Sequence, residues 1–263
     1  HLLSPQKELP QKGMEAVQRI QRFIITVIGA NKQLYYVLKQ YLDKGMDIQD
    51  LTSDERYFLV ESVKDLERSG LGLPDEELKV VVELSQKIAS LGTEFEAEIA
   101  QDTTKLFFTQ EQLEGVSEDF LNPLSVDDAG RYILSLDYPT QDAVMRECKI
   151  EQTRKSYYKA FNQRAYPKNL QRLHELVRLR DTKARLLGFD SFAAYNLADQ
   201  MVNTPLKART LQQDLVPAMV KKAQEEIDLL VKDLPEGVEL SKDGKVKPWD
   251  FAYLSDYYKK HHH

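Results

Sequence analysis

Cysteine, tryptophan, glycine and proline are scarce in this chain of 263 residues: it has one Cys, one Trp, 11 Gly and 10 Pro. The lone Cys148 excludes an internal disulfide framework, and no Asn-x-Ser/Thr acceptor stands out, so a reducing compartment is expected. Sparse Gly and Pro exclude collagen-like and low-complexity classes and favour helices over a turn-rich sheet protein. No apolar run approaches the ~20 residues of a membrane-spanning helix. The longest, Ile24 to Ile28, is interrupted by Thr26. Neither an initiating Met nor a targeting peptide opens the sequence, and His261-His262-His263 at its close reads as the remnant of a purification tag, outside fold and metal arguments. Both ends are therefore expected to be cut. A cytoplasmic setting is expected, an organellar matrix being the other choice once a native leader is lost.

What is present is 42% hydrophobic and 30% charged residues with a net charge of −6, enough for a sizeable core in a helix-dominated soluble protein. From Leu78 the apolar positions Val81, Leu84, Ile88, Leu91, Phe95 and Ile99 alternate in steps of three and four, which predicts a long amphipathic helix. Pro74 and the acids Asp75, Glu76 and Glu77 suit its first turn. Leu211, Leu215, Met219, Ile227 and Leu230 predict a second long helix, closed by Pro235 and Gly237. Thr52 and Glu55 have capping-box spacing for a helix through Leu66. Leu176, Ala184 and Leu187 continue one apolar face, Gly188 stops that helix, and Asp190 or Ser191 caps the next. The β signals are Lys105–Thr109 and Arg131–Leu136, bounded by turn residues. The β-branched run Ile24 to Ile28, with Gly29 behind it, is a doubtful helix on propensity. The fold class read from these signals is mainly α, a long-helix bundle with a small β-hairpin-like insert around 105–137.

Residue types that carry chemistry are few. His174-Glu175-Leu176-Val177-Arg178 falls one residue short of the His-Glu-x-x-His zinc signature. In that signature two imidazoles one turn apart face a metal while the Glu serves as base. Arg178 has a permanent charge and no lone pair, so it would repel zinc, and His174 reads as an ordinary helix residue. Cys148 beside Arg146 and Lys149 has cations that favour a thiolate, but lacks a base other than His174 and reads as a small, partly buried apolar residue. Asp127-Asp128 and Glu225-Glu226 read as solvated faces. Between Lys149 and Arg185 eleven basic residues face three acids, with Tyr157, Tyr158, Phe161 and Tyr166 interleaved. That mixture can bind nucleic acid, but the aromatics fall at core spacing in an acidic chain. The expectation is that these cations meet acidic helices, with no nucleic acid and no membrane as partner.

Several segments together resemble one family. Leu187-Gly188-Phe189 runs into Ser191-Phe192-Ala193-x-Tyr195-x-Leu197. Ahead of it come Ser4–Leu9, Asn31–Tyr35, Gly70-Leu71-Gly72-Leu73-Pro74, Ser90-Leu91 through Phe95, Asp102-Thr103, Leu106–Thr109 with Leu113, Leu136-Asp137-Tyr138-Pro139, Val144-Met145-Arg146, Thr153-Arg154 and Phe161–Arg164. Behind it comes Pro248-Trp249-Asp250-Phe251-Ala252-Tyr253. In this order and spacing they resemble the thimet oligopeptidase family of zinc metallopeptidases, which carries such segments ahead of its catalytic core. One departure is local: Ile24 to Ala30 stands where the family has a charged, Met-containing turn.

The resemblance implies an N-terminal part of a metalloendopeptidase that hydrolyses short peptides in a channel between two helical lobes. It implies a boundary near the Gly70–Pro74 hinge, with 1–72 in the first lobe and 73–260 in a helical lobe holding the β insert. The family's His-Glu-x-x-His helix and later Glu, which hold zinc, cannot be placed in this sequence. The expectation is therefore no catalytic, metal or cofactor-binding residue here. Zinc belongs to the full-length parent, and this chain, inactive alone, supplies scaffold and channel wall. Implied partners are short peptides for the parent, the missing C-terminal catalytic part, and further copies of the chain through self-association. The other reading is a non-catalytic helical protein-interaction module.

Overall fold

The computed structural model describes residues 8–44 and 51–262; Ser4–Lys7 of the first quoted segment and His263 lie outside the described residues. In chain order the elements are α1 (Glu8–Phe23), a π-helical turn (Ile24–Ile28), α2 (Lys32–Lys44), α3 (Ser53–Arg68), α4 (Asp75–Ala100), β1 (Lys105–Phe108), a 3-10 turn (Glu111–Leu113), α5 (Glu118–Leu121), β2 (Tyr132–Ser135), α6 (Tyr138–Glu147), α7 (Glu151–Asn162), α8 (Lys168–Leu186), α9 (Phe192–Leu197), α10 (Pro205–Leu230) and α11 (Phe251–His262). The fold is mainly α with one small antiparallel strand pair.

The chain forms two compact units. The first joins the residues up to Ala100 with Pro167–Arg209. Its helices start and stop where local chemistry dictates. The Thr52 hydroxyl accepts from the Glu55 amide while the Glu55 carboxylate accepts from the Thr52 amide, a complete capping box opening α3. Gly188, at φ +84°, lets the chain leave α8, and the Ser191 hydroxyl accepts from the Ala194 amide to open α9. The β-branched run does break the first helix: Gly29 N–H reaches back to the Ile24 carbonyl at 2.8 Å, a π-helical closure. Tyr35, Leu59, Val63, Leu71 and Leu78 form the buried cluster of α2, α3 and the start of α4. Helices α4 and α8 pack together, and Asn169 donates to the Phe95 carbonyl across them at 2.9 Å.

The second unit joins Gln101–Tyr166 with Thr210–His263. Strand β1 pairs antiparallel with β2, Lys105 opposite Ser135 and Phe108 opposite Tyr132. Alternation along β1 buries Phe108 and leaves Phe107 outside beneath Arg131. The core beneath holds Leu113, Leu134, Val144, Cys148, Tyr157 and Phe161. Gly115 sits at φ +94° against the Glu147 carbonyl, where a Cβ would come within 2.5 Å of the oxygen. Helix α10 starts at Pro205, six residues ahead of the first apolar position read for it. Thr204 caps it by accepting from the Lys207 amide, and proline is favoured at a first helical position, where its missing N–H is no loss.

Candidate functional site

The densest polar arrangement in the second unit gathers at the start of α7. Helix α7 follows the core residue Cys148, and its first turn aims Arg154 inward rather than to solvent. Arg154 is 0% exposed. Its Nε and Nη2 donate to Asp250 Oδ1 at 3.0 and 2.6 Å, and its Nη1 donates to the Cys148 carbonyl at 2.7 Å. The guanidinium lies 4.3 Å from the centre of the Tyr253 ring. One turn earlier, Glu151 accepts from Lys247 Nζ at 2.7 Å and from the Trp249 indole at 3.1 Å. Burial would raise the Glu151 carboxyl, but these two donors outweigh it and hold it below the usual range. Trp249 in turn meets the edge of Tyr158 and carries Lys155 over its ring.

Segments that are far apart in sequence thus converge. Thr153-Arg154 meets Trp249-Asp250 and Tyr253, while Asp137 of the Leu-Asp-Tyr-Pro segment caps α6 by accepting from the Thr140 amide at 2.8 Å. Tyr157 donates to the Ser135 carbonyl at 2.7 Å, tying α7 to the end of β2. Burial raises its phenol far above the ordinary value, so it serves as a fixed donor. Arg164 donates to the Leu136 carbonyl and stacks on Phe161. The arrangement is a locked brace. Within it Arg154 pairs with Asp250 and Lys247 with Glu151.

The other singled-out residues are placed apart from this brace. His174 and Arg178 are exposed on α8, and Glu175 pairs with Lys87. Cys148 is fully buried, nearer a core residue than its flanking cations suggest, and burial raises its thiol. Asp127 forms a loop pair with Arg131. The basic tract divides among different partners: Arg154 takes Asp250, Lys149 takes Glu114, Lys168 and Arg172 take Glu98, and Arg185 takes Asp181. Among the described residues no group of three or more His, Cys, Asp or Glu side chains is arranged to hold a metal ion. With His174 exposed beside a permanently charged Arg178, and Cys148 sealed in a core, these residues do not fit a zinc site. No described helix is long and apolar enough to cross a membrane. Sequence reasoning missed the Arg154–Asp250 pair; the one signal was that both lie in segments of the quoted resemblance.

The sequence pattern of Peptidase family M3 matches residues 144–263, the stretch that contains this brace. The chain is similar to a thimet-like oligopeptidase of Dictyostelium discoideum, 30% identical over 208 residues that cover 78% of this chain and 31% of that protein. It is similar to oligopeptidase A of Escherichia coli, 28% identical over 251 residues covering 90% and 36%, and to saccharolysin of Saccharomyces cerevisiae, 28% identical over 239 residues covering 84% and 33%. The chain spans about a third of the length of these curated relatives. Matched over most of its length by such peptidases, and from residue 144 onward by the Peptidase family M3 pattern, the chain belongs to the thimet oligopeptidase family.

Proposed function

We propose that this chain supplies scaffold and channel wall to a zinc-dependent oligopeptidase that hydrolyses short peptides, and that it has no peptidase activity by itself. One observation carries the reading. Three relatives named as oligopeptidases or saccharolysin match 78–90% of this chain but only about a third of their own length. The zinc and the groups that act on the peptide bond are placed in the remaining two thirds of the enzyme. The arrangement around Arg154 supports a structural role, because Arg154 and Asp250 hold each other, as do Lys247 and Glu151. Long helices such as α4, at 26 residues, suit a wall that admits a narrow extended chain and excludes a folded protein. A single, buried Cys148 suits a reducing compartment, and we place the enzyme in the cytoplasm.

The test compares two proteins: the 263-residue chain without its terminal histidines, and the natural reading frame continued to a His-Glu-x-x-His helix. The first is expected to hold no stoichiometric zinc and to leave a quenched fluorescent peptide intact. The second is expected to cleave the peptide, to stop on chelation, and to spare a folded competitor. One tight zinc per short chain, lost in His174→Ala, would overturn the reading. So would a zinc-loaded long form without activity.

A further inference from the structure

The π-helical turn Ile24–Ile28 builds one wall of a cavity in the first unit. Ile24, Ile25 and Gly29 of the turn line it on one side. Val82, Ile88 and Ala89 of α4 line it on another, and the accessible volume is about 290 Å³, the size of a small ligand. π-helical turns are rare and gather at functional sites, because the extra residue widens the helix and displaces its side chains. Here the displaced residues are mostly β-branched and apolar: Ile24, Ile25, Val27 and Ile28.

Lys183 of α8 is the one charged residue in the lining. Among the described residues it has neither ion pair nor hydrogen bond, and its contact is with the face of Tyr195, 5.7 Å away. The neighbouring cation on that ring, Arg68, is neutralised by Asp199, so Tyr195 carries one paired and one unpaired cation. Burial lowers the Lys183 ammonium below its ordinary value, and no acid opposes that shift. Two hydroxyls complete the lining, Ser69 and Ser85, and each donates its proton to a carbonyl of its own helix, Asp65 and Val81. They face a ligand with lone pairs alone. An anion in this cavity has Lys183 as its donor, and a ligand N–H has a serine as its acceptor.

We propose that this cavity binds a carboxylate borne on a short branched apolar group, with the Lys183 ammonium as its counter-charge. A half-buried ammonium facing apolar walls is an uncompensated charge, and a carboxylate compensates it while the branched group fills space between Ile25, Ile88 and Ala89. Two sources share this chemistry: a free branched acid, and the C-terminal residue of an apolar peptide, whose amide N–H would also meet a serine hydroxyl. Binding here is read on this chain alone and needs no peptidase activity.

The experiment is calorimetric titration of the whole chain with 4-methylpentanoate, N-acetyl-leucine and 4-methylpentanamide, with NMR of the lysine side-chain carbons. Saturable binding of at least one acid, with the Lys183 resonance moving, is expected. The amide, and either acid with Lys183→Met, should bind at least about tenfold more weakly. Ala89→Leu fills the cavity without touching the lysine and should weaken the acids by a similar factor; it decides the matter if Lys183→Met fails to fold. Tighter N-acetyl-leucine identifies a peptide C-terminus as the source, and tighter 4-methylpentanoate a free acid. The proposal is overturned if neither acid saturates below about 20 mM, if the amide binds as well as the acid, or if folded Lys183→Met or Ala89→Leu binds as the parent does.

Discussion

Arg154 directs two nitrogens at a single oxygen of Asp250, Nη2 at 2.6 Å and Nε at 3.0 Å, although the residues stand 96 positions apart. Both are fully buried. Asp250 Oδ2 is also buried and accepts no hydrogen bond among the described residues, so the pair lacks the two-pronged fork that arginine and carboxylate can make. Burial raises the Asp250 carboxyl and Arg154 opposes it. The pair therefore serves position rather than net stability: it fastens the start of α7 to the turn before α11, with the Tyr253 ring under the guanidinium.

Breaking that pair from one side should be severe, and from both sides mild. Arg154→Met leaves a buried carboxylate without its cation, and a loss of about 3–5 kcal/mol is expected. Arg154→Met combined with Asp250→Leu removes both charges and should recover most of it. Urea unfolding of the two variants measures this. A single-variant loss under about 1 kcal/mol would mean the pair is solvated in solution.

Gly115 and Gly130 separate backbone strain from crowding. Both have positive φ, +94° and +74°, but a Cβ at 115 would strike the Glu147 carbonyl at 2.5 Å and Lys149 Cγ at 2.8 Å, while at 130 it meets open space. Alanine at 130 should cost about 1 kcal/mol for the left-handed conformation alone. Alanine at 115 should cost about 3 kcal/mol or more, since backbone must move as well. Equal thermal shifts for the two would contradict the close approach.

What the sequence made legible was local. Thr52 and Glu55 lie three apart and cap each other, so their spacing alone predicts α3. The three-and-four rhythm from Leu78 predicts α4, and the two β-rich runs find each other across a short excursion. Ile24 to Ile28 gave notice of an irregular turn, because β-branched side chains crowd a helix. Its π closure depends on Gly29 reaching the Ile24 carbonyl, which spacing does not encode. Long-range pairing was not legible. Arg154 reads as one more cation in a basic tract, and apart from its place in a family-like segment nothing distinguishes it from Lys155 or Lys159. Its burial is decided by Asp250, which only the fold brings near. Lys183 is hidden for the same reason, since its cavity is walled by four separate helical segments.

The face of α10 should drive association of the isolated chain. Leu211, Leu215, Met219 and Val220 are 49–64% exposed, and among its described residues this 26-residue helix buries none. Apolar patches of this kind on a monomer usually meet a partner. Light scattering should show mass rising with concentration, together with binding of a hydrophobic dye. Leu215→Glu with Met219→Glu should reduce both. A monomer that ignores the dye at all concentrations would identify a self-contained module instead.

Lys183 should leave a signature in the pH dependence of stability. Its ammonium is depressed in the folded chain, so between that lowered value and the ordinary lysine value of about 10.4 the unfolded chain holds more protons than the folded one. Stability must then rise with pH across that window, by the linkage between proton uptake and unfolding. Below the window the unpaired charge is carried in the fold and is a burden, so Lys183→Met should be the more stable protein at neutral pH, by about 1 kcal/mol or more. The advantage should shrink as pH climbs toward about 10.4, because the parent lysine sheds its proton in the folded state first. Denaturant midpoints of both proteins at a series of pH values measure the difference. A constant gap between the curves, or a less stable Lys183→Met at neutral pH, would mean that the ammonium has a partner in solution and that its cavity is not apolar.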